Sequence, residues 1–509
     1  MLLALASLLF SGLVQAAISP PLNLVWLHPV AWVPALAVFA RLRGRRAFAA
    51  GWLVGTSANL AIYAWLPGTV QRFGGLPYAA AIAVWLLFAA GTGLYAGVFA
   101  WGFAPVRRAA GAAWPFAVAA WFCALEFLWP QVFGYLQGHA WYQVPRLFLV
   151  SATTGVSGVS FLVLACNAVL LQGLEAARGE GGHARAALRR NPAVLAALVG
   201  MAVAISSARL AAIEAAEGTA PVLRVALVQP DRTIERTSEL YRMKPTAFAE
   251  DLVALSREAA SQVHDGRRID VYVWPEGALR SDPRYARNAP ALDFVRETGA
   301  EVWTGANHDE IRGGRIVASH NSAYRIFGSG EIDRRYDKNI LVPFGEYVPM
   351  KAWIPFADRI PTAADFEPGT EVPRYEAGPA RFIFLICYEA IRSGFVRRSL
   401  GPDTNLLVNV TVDSWYGDSA EQSQHLMLAA SQAALNGLPL VRATTTGISA
   451  FADARGLLTG ETGKFTREAL VRDVRLVRVP GAWSRWGDWF AWGSVASSAA
   501  LLLAARRRH

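Results

Sequence analysis

The segment DKNILVPFGEYVP, residues Asp337–Pro349, lies in a polar region that interrupts an otherwise apolar and arginine-rich sequence. It places Lys338 and Glu346 eight residues apart. The tripeptide WPE, which ends at Glu276, precedes this segment, and the tetrapeptide ICYE, which contains Cys387, follows it. Because covalent catalysis needs a nucleophile, a base and a group that stabilises developing charge, we interpret the three segments as parts of one active site.

The composition indicates a protein with both a membrane part and a globular part. Of its 509 residues, 53% are hydrophobic. Runs of about 20 apolar residues can cross a bilayer. Such runs occur at Leu2–Ile18, Leu24–Ala40, Ala47–Leu66, Tyr78–Phe103, Ala112–Trp129, Phe148–Leu171, Ala193–Ala212 and Trp486–Ala505. We therefore predict seven transmembrane helices over 1–215, a polar insert over 221–479, and an eighth helix with a basic cytoplasmic tail over 484–509.

Arginines in short loops predict the orientation of these helices. They follow the second, fourth, sixth and eighth runs, at Arg41, Arg43, Arg45, Arg46, Arg107, Arg108, Arg185, Arg189, Arg190, Arg506, Arg507 and Arg508. If the helices alternate, all four clusters lie on one side, which the positive-inside rule identifies as cytoplasmic. The insert is then expected outside the cytoplasm. Because these arginines supply most of the net charge of +10, we predict no nucleic-acid partner.

The first apolar run admits a second interpretation, a cleaved signal peptide. Its Gln15-Ala16-Ala17 sequence resembles a cleavage site with small residues. No basic residue precedes the run, however, and signal peptides normally begin with a positive region. We therefore favour a retained helix.

The three cysteines do not form an obvious disulfide framework. Cys123 and Cys166 fall within predicted membrane helices, and Cys387 is the only cysteine of the insert. A lone thiol in a compartment that favours disulfides is either a buried core residue or a nucleophile. A cysteine that closes an apolar strand is by itself more often a core residue. The flanking WPE and lysine segments favour the nucleophile.

Within the insert, short apolar runs alternate with polar stretches, which predicts an α/β domain with its own core. Predicted strands are Val222–Gln229, Asp270–Trp274, Glu301–Gly305, Ser322–Phe327, Arg381–Ile386, Asn405–Asn409 and Leu440–Thr444. Helical spacing occurs at Phe248–Val263 and Glu421–Asn436. Glu276 and Cys387 come directly after predicted strands, at the end where side chains can leave a sheet and meet a ligand.

The candidate residues can be assigned chemical roles. Cys387 attacks as a thiolate, so it needs a base, and Glu276 can accept its proton. Lys338 can place a compact positive charge beside an oxyanion, which a planar guanidinium cannot do in the same way. The chain otherwise uses arginine almost everywhere, with further lysines only at Lys244, Lys351 and Lys464. Lys338 can alternatively be a retained surface lysine.

Two further carboxylates, Glu346 and Glu389, lie near the candidate site in sequence. Each can orient Lys338 or tune Glu276, and each can equally be a solvated or structural carboxylate. His264, His308, His320 and His425 lack metal-ligand spacing, so we predict neither a metal nor another cofactor.

The WPE, YDK-LVPFGEYVP and ICYE segments resemble those of the apolipoprotein N-acyltransferase family, and the resemblance spans essentially the whole chain. It implies eight transmembrane helices with an inserted nitrilase-like domain, an α-β-β-α sandwich, on the periplasmic side of the bacterial inner membrane. It implies a phospholipid acyl donor, a cysteine thioester and a diacylglyceryl-cysteine lipoprotein as acceptor. We expect the enzyme to act as a monomer.

The resemblance also implies residue roles. Glu276 would be the general base, Lys338 the oxyanion stabiliser and Cys387 the nucleophile. Glu346 and Glu389 would support these three residues, and substrate contacts are implied for Tyr388, Trp415 and Tyr416. The sequence departs from the usual family pattern at Thr237-Ser238, where a Lys-Trp pair is common, at Val412, where an asparagine is common, and at Gly277.

Two other functions compete with N-acyl transfer as interpretations of the sequence. A membrane-tethered amidase or nitrilase could use the same three residues, with water in place of a lipoprotein amine, but it gives no reason for eight helices. A transporter or receptor would be favoured by ionisable residues within the helices. Glu126 is the one clear carboxylate in the predicted helices, which argues against a coupled pathway.

Overall fold

The computed structural model describes residues 2–180, 185–348, 353 and 365–507. Pro349 at the end of the lysine-bearing segment, Lys351 and Arg508 lie outside this range. The described chain divides into two compact units. The first comprises Met1–Pro67, Tyr78–Ala212 and Pro480–His509, and the second comprises Gly68–Pro77 and Ile213–Val479.

The helices are labelled in chain order. They are α1 (Leu2–Ile18), α2 (His28–Ala31), α3 (Val33–Phe39), α4 (Gly44–Ile62), α5 (Leu66–Gly74), α6 (Tyr78–Ala110), α7 (Trp114–Leu128), α8 (Pro145–Phe148), α9 (Ser151–Thr154), α10 (Val156–Ala177), α11 (Arg185–Thr219), α12 (Ile234–Arg242), α13 (Ala247–Ser261), α14 (Ala289–Thr298), α15 (Ser393–Ser399), α16 (Glu421–Asn436), α17 (Ala482–Trp486) and α18 (Trp489–Arg507).

The first unit is helical, and small residues let its helices pack closely. α4 and α6 meet at Gly55 and Gly93, where a Cβ on Gly55 would lie 2.6 Å from the Gly93 carbonyl oxygen. Such contacts between small residues are typical of helices that pack within membranes. α6 and α7 pack side by side, since the rings of Phe99 and Phe122 are 5.1 Å apart and nearly perpendicular.

Among the residues that the structure describes, three helical stretches are long and apolar enough to cross a membrane: Tyr78–Leu128, Val156–Ala177 and Ala186–Thr219. The bent pair Gly44–Ile62 and Leu66–Arg72 makes a fourth if it forms one span. Leu2–Ile18, Val25–Phe39 and Trp489–Ala505 are shorter apolar helices. The number of eight transmembrane helices therefore stays a prediction.

The apolar run predicted as a helix over Leu24–Ala40 is helical over Val25–Phe39 but divided into three short segments. A 3₁₀ turn at Val25–Leu27 is followed by the short helices α2 and α3. Each of these begins next to a proline, Pro29 or Pro34, at its first or second position. Proline has no N–H to donate to the preceding turn, so it is tolerated at a helix start and interrupts a helix interior.

The second unit contains two sheets in the described residues. Its strands are β1 (Val222–Gln229), β2 (Val271–Val273), β3 (Glu301–Arg312), β4 (Arg315–Ile326), β5 (Tyr336–Asp337), β6 (Tyr375–Ala377), β7 (Ala380–Ile386), β8 (Leu406–Thr411), β9 (Leu440–Thr444), β10 (Ala450–Ala452), β11 (Leu458–Glu461) and β12 (Glu468–Arg475). The strand orders are β12-β1-β2-β3-β4-β5 and β11-β10-β9-β8-β7-β6. In each sheet the three central strands, β1-β2-β3 and β7-β8-β9, are parallel, and the outer strands are antiparallel.

The two sheets face each other, with helices on both outer sides. Between the sheets, the ring of Trp303 on β3 stacks on Phe382 of β7 at 3.9 Å between centroids. On the outer side of the first sheet, Tyr272 packs against Phe294 of α14, and α13 joins the same core. The helix α16 covers the second sheet. This is an α-β-β-α sandwich, which confirms the predicted fold of the insert.

Candidate active site

Glu276 is held at the end of β2 by contacts with the neighbouring strand. The Trp274 amide donates to the Trp303 carbonyl at 2.8 Å, and the Gly305 amide donates to the Pro275 carbonyl at 3.1 Å. A Cβ on Gly305 would lie 2.5 Å from the Glu276 Cα, so glycine is required for this close approach. Glu276 itself is only 6% exposed.

This close approach gives a first prediction, for Gly305→Ala. The added methyl group would meet backbone atoms and push Glu276 away from the site, and a displacement of about 1 Å can cost about 10²-fold in rate. We expect acylation per correctly folded enzyme to fall by this order.

Gly328→Ala is the matched control for Gly305→Ala. Its Cβ would also meet backbone, at Gly299, but far along the sheet from Glu276. We expect both variants to unfold at lower temperature and only Gly305→Ala to turn over more slowly. Equal turnover in both variants, measured per active site, would contradict this account of Gly305.

Lys338 lies directly after β5 and is buried, with 1% of its surface exposed. Its backbone amide donates to the Asn321 carbonyl at 2.8 Å. Its Nζ donates to Glu346 Oε1 at 2.8 Å and lies 3.7 Å from Glu276 Oε1. The ammonium therefore sits between the two carboxylates, which excludes the surface-lysine alternative.

Glu346 reaches Lys338 because its own loop turns back. The amide of Glu346 donates to the Val342 carbonyl at 2.9 Å, which closes a turn. The Val342 amide in turn donates to Glu346 Oε2 at 2.8 Å. One oxygen of Glu346 is thus bound to its loop, and the other faces Lys338.

Asn321 on β4 joins the two carboxylates, and sequence reasoning missed it. Its Nδ2 donates to Glu276 Oε1 at 2.6 Å and to Glu346 Oε1 at 2.9 Å. The one signal in the sequence is a buried asparagine within a strand, which needs a polar partner. The amide fixes the separation of Glu276 and Glu346.

Cys387 ends β7 and begins a 3₁₀ turn over Cys387–Ile391. It adopts a φ of 49°, in the left-handed region that residues other than glycine rarely occupy. Such a conformation costs about 1–3 kcal/mol and persists only where the surroundings enforce it. Its side chain is 6% exposed.

The electrostatics of the three residues are coupled. Burial and then the Glu276 carboxylate raise the pKa of the Cys387 thiol, and Lys338 opposes this rise. Burial also raises the pKa of Glu276, against the Lys338 charge and with the help of Glu346. Burial alone lowers the pKa of Lys338, but Glu346 and Glu276 outweigh it and leave the pKa above its ordinary value. The resting thiol is therefore protonated, and its activation needs a base.

Glu389 ties the lysine-bearing loop to the cysteine turn. Its Oε1 accepts from the Tyr336 hydroxyl at 2.6 Å and from the Asn339 amide at 2.7 Å. Its Oε2 accepts from the Ile386 amide at 2.8 Å, directly before Cys387. Burial raises the pKa of Glu389 to about 7, and the bonds from Tyr336 and Ile386 limit the rise. The hydrogen bonds of Glu389 therefore hold the backbone of Asn339 and of Ile386 in place.

The residues implied in substrate contact lie in two 3₁₀ turns, one of which begins at Cys387. Tyr388 follows it in the 3₁₀ turn, is 6% exposed and has the Arg392 guanidinium 5.5 Å from its ring centre. Trp415 and Tyr416 form a 3₁₀ turn after β8. Burial, then Glu421 and Cys387, raise the pKa of Tyr416.

Asp413, Glu421 and His425 form a buried group that sequence spacing did not reveal. One ligand atom from each lies within 4.8 Å of the others, so this group could hold a metal ion. The sequence gives only a partial indication of this group, because Glu421 and His425 are four residues apart on α16 and so share one helix face, while Asp413 lies outside the helix. Arg442 already donates to Asp413 Oδ2 at 2.8 Å and supplies a positive charge there.

Two known families match the chain in adjoining regions. Residues 224–482 match the Carbon-nitrogen hydrolase family. Residues 11–169 match the Apolipoprotein N-acyltransferase N-terminal domain. The apolipoprotein N-acyltransferase of Geobacter metallireducens is 31% identical over 499 residues, which cover 95% of this chain and 92% of that protein.

The chain belongs to the apolipoprotein N-acyltransferase family. The relative from Brucella melitensis, of the same name, is 33% identical over 338 residues, which cover 64% of this chain and 60% of that protein. Membership of this family and the apolar helices identify a bacterial membrane protein.

Parts of this member of the apolipoprotein N-acyltransferase family are also similar to solved structures. An amidase from Nesterenkonia sp. is 18% identical over 52% of this chain and 92% of its own, with a TM-score of 0.37. A Saccharomyces cerevisiae protein of branch 10 of the nitrilase superfamily is 14% identical, covers 50% of this chain and 90% of its own, and has a TM-score of 0.39.

Proposed function

We propose that this member of the apolipoprotein N-acyltransferase family moves an acyl chain from a phospholipid to the α-amine of a diacylglyceryl-cysteine lipoprotein, with Cys387 as the intermediate carrier. The observation that carries the proposal is the buried ammonium of Lys338 between Glu346 and Glu276, beside the Cys387 thiol. It brings a nucleophile, a base and an oxyanion stabiliser into one site. Each has a defined task in both halves of the reaction.

In the first half, Glu276 accepts the proton of the Cys387 thiol, and Sγ attacks the ester carbonyl of the phospholipid. The negative charge that develops on the carbonyl oxygen is stabilised by the Lys338 ammonium. The carbon–oxygen bond to the glycerol then breaks, and the departing oxygen takes the proton from Glu276. The products are a lysophospholipid and a thioester on Cys387.

In the second half, the lipoprotein α-amine attacks the thioester carbonyl, and Glu276 accepts a proton from the nitrogen. Lys338 again stabilises the oxyanion. The carbon–sulfur bond breaks, and the Cys387 thiolate recovers its proton from Glu276. The lipoprotein leaves with a new amide, and the enzyme returns to its starting state.

Two-substrate kinetics in detergent or nanodiscs test this proposal. Because the lysophospholipid leaves before the amine attacks, we expect parallel double-reciprocal plots when a phospholipid and a diacylglyceryl-cysteine peptide are varied. We also expect small amides to be hydrolysed negligibly. Intersecting plots, or efficient hydrolysis of a small amide without phospholipid turnover, would replace this proposal with a sequential mechanism or an amidase.

The pH dependence of acylation gives a prediction for Glu346→Gln. Glu276 must be ionised to act as base, so the rate falls as the pH drops through its raised pKa. Glu346 raises that pKa, and its removal also frees Lys338 to interact with Glu276. The midpoint of the acid limb should therefore move to lower pH. Glu376→Gln, which alters an exposed carboxylate paired with Arg381, should leave the midpoint unchanged. A shift to higher pH would refute the assignment of Glu276 as base.

We also propose that eight helices anchor the enzyme in the inner membrane, seven within 1–215 and one within 484–509, with 221–479 on the periplasmic side. The side-by-side packing of α6 and α7 supports two crossings within Tyr78–Leu128. A membrane-impermeant maleimide tests the orientation, in variants whose native cysteines are replaced. Arg312→Cys, in an exposed hairpin, should react in cells with a permeabilised outer membrane, and Arg45→Cys should not. The reverse pattern would invert the topology.

We propose a monomer, because one chain supplies every residue of the candidate site. Mass photometry in nanodiscs should give the mass of one chain at concentrations where turnover is linear. Activity that is lost on dilution to single chains would contradict this.

A further inference from the structure

A buried polar network lies next to Cys387, and the proposed mechanism does not use it. Its members are Asp413, Glu421, His425 and Arg442. Asp413 and Arg442 are fully buried, and His425 and Glu421 are each 5% exposed. Arg442 donates to Asp413 Oδ2 at 2.8 Å and to Asn409 Oδ1 at 2.6 Å. His425 Nδ1 lies 3.4 Å from Asp413 Oδ1 and 3.6 Å from Glu421 Oε1.

Two branches of this network reach the nucleophile. His425 Nε2 lies 3.4 Å from the Cys387 carbonyl oxygen, within hydrogen-bond distance. The Thr411 hydroxyl donates to Asp413 Oδ1 at 3.2 Å, and the same side chain forms a hydrogen bond with the Cys387 thiol. Asp413 is thus linked to the Cys387 thiol through Thr411, and His425 reaches the Cys387 backbone directly.

The charges of the network balance without an added ion. Arg442 neutralises Asp413, whose pKa lies below its ordinary value because Arg442 and His425 outweigh its burial. Burial and then Arg442 lower the pKa of His425, while burial and then Asp413 raise the pKa of Glu421. His425 Nε2 faces the Cys387 carbonyl oxygen at 3.4 Å, where a ring N–H can donate a hydrogen bond. A divalent cation would face the Arg442 guanidinium, so we favour a network without a metal ion.

We propose that Asp413 and His425 are positioning residues that hold the nucleophile of the proposed N-acyl transfer in its reactive geometry. The inference rests on the assignment of Cys387 as nucleophile. His425 anchors the carbonyl of a residue that must keep a left-handed φ of 49° through both half-reactions. Asp413 orients the Thr411 hydroxyl. At rest the hydroxyl oxygen accepts a hydrogen bond from the Cys387 thiol, and once Glu276 has taken the thiol proton the hydroxyl can turn and donate to the thiolate.

The test measures single-turnover acylation from phospholipid vesicles by the full-length enzyme, without acceptor. It separates the rate per active site from the half-saturating phospholipid concentration and from the number of sites acylated at completion. For Asp413→Asn and His425→Ala we expect the rate per site to fall about 10–100-fold, because small misplacements of reacting groups have effects of this size. The half-saturating concentration should change less than about twofold, since neither residue is placed to contact the lipid.

Conservative variants separate positioning from general stability. His425→Gln can present an N–H toward the Cys387 carbonyl, so its rate should lie between those of His425→Ala and the unmodified enzyme. Thr411→Val keeps the shape of the side chain, loses the hydroxyl, and should slow acylation even if Asp413→Asn does not fold. Glu301→Gln is the matched control, because it alters a carboxylate whose oxygens accept from Arg325 at 2.6 and 2.8 Å, at the start of β3.

The outcomes are distinguishable. If the rates per site of His425→Ala and Thr411→Val lie within twofold of that of the unmodified enzyme, the inference is overturned. The assignment of Cys387 as nucleophile is unaffected by that result. Loss of acylation with EDTA, restored by Zn²⁺, would overturn it in favour of a metal site at Asp413, Glu421 and His425. A full acyl adduct on Cys387→Ala would instead refute the proposed function on which the inference rests.

Discussion

Cys387→Ala is expected to abolish acyl transfer, with a loss of at least about 10⁴-fold, the order found when an enzyme loses its nucleophile. The thiol is the atom that would carry the acyl chain, and the described residues offer no second cysteine in the unit that contains Glu276 and Lys338. Alanine also removes a side chain that is largely buried without adding volume. The variant should therefore fold and still bind phospholipid. Transfer to a diacylglyceryl-cysteine peptide, followed by mass spectrometry of the product, measures the loss.

Cys166→Ala is the control for this experiment. Cys166 lies in α10 of the helical unit and is partly exposed. Its replacement should leave transfer within about twofold, as for most substitutions away from specific contacts. Appreciable transfer by Cys387→Ala, with the same product, would assign the chemistry to another group.

Lys338→Met is expected to reduce acylation by at least about 10³-fold, because it removes the positive charge that we propose stabilises the oxyanion. The loss has a second cause in this site. Glu276 and Glu346 share the Asn321 amide, and without Lys338 no ammonium separates the two carboxylates. The Lys338 charge opposes the rise in the pKa of Glu276, so its removal raises that pKa further and weakens the base at neutral pH.

Lys338→Arg tests whether any positive charge at this position is sufficient or whether the compact ammonium group is needed. A guanidinium is larger and planar and cannot fit the same buried space without moving Glu346, so we expect the arginine variant to regain little activity. Lys244→Met alters an exposed lysine paired with Glu250 and should behave as the unmodified enzyme. Acylation by Lys338→Met within tenfold of normal would show that the oxyanion is stabilised elsewhere.

Much of the central part of the sandwich could be predicted from sequence. β1 and β9 have the predicted bounds, because both are largely apolar runs, each with a single arginine, that the structure buries on both faces. β3 and β4 extend well beyond the predicted Glu301–Gly305 and Ser322–Phe327 as a long hairpin. The outer part of this hairpin, over 307–312 and 315–319, is exposed or half-buried on both faces and shows no alternation, so hydropathy alone does not mark it. The edge strands β5, β6 and β11 are too short to give a periodic signal.

The residues of the candidate active site were predictable only where they belong to sequence motifs. WPE, the lysine segment and ICYE pointed to Glu276, Lys338 and Cys387, and the structure brings all three together. Asn321 and Asp413 were not predicted because the hydrogen-bond partner of each is distant in sequence, Glu276 and Arg442 respectively. Such partners are set by sheet register and helix packing, which a linear pattern does not encode.

The intact mass of the enzyme, after incubation with a single defined phospholipid and no acceptor, shows whether Cys387 carries the acyl chain. We expect the mass to increase by one acyl chain per protein. The adduct should map to Cys387 by peptide analysis, be released by neutral hydroxylamine and be discharged onto a diacylglyceryl-cysteine peptide when that acceptor is added. Absence of this adduct while the same enzyme transfers acyl chains at its normal rate, or an adduct on any other residue, would contradict the assignment of Cys387 as the acyl carrier.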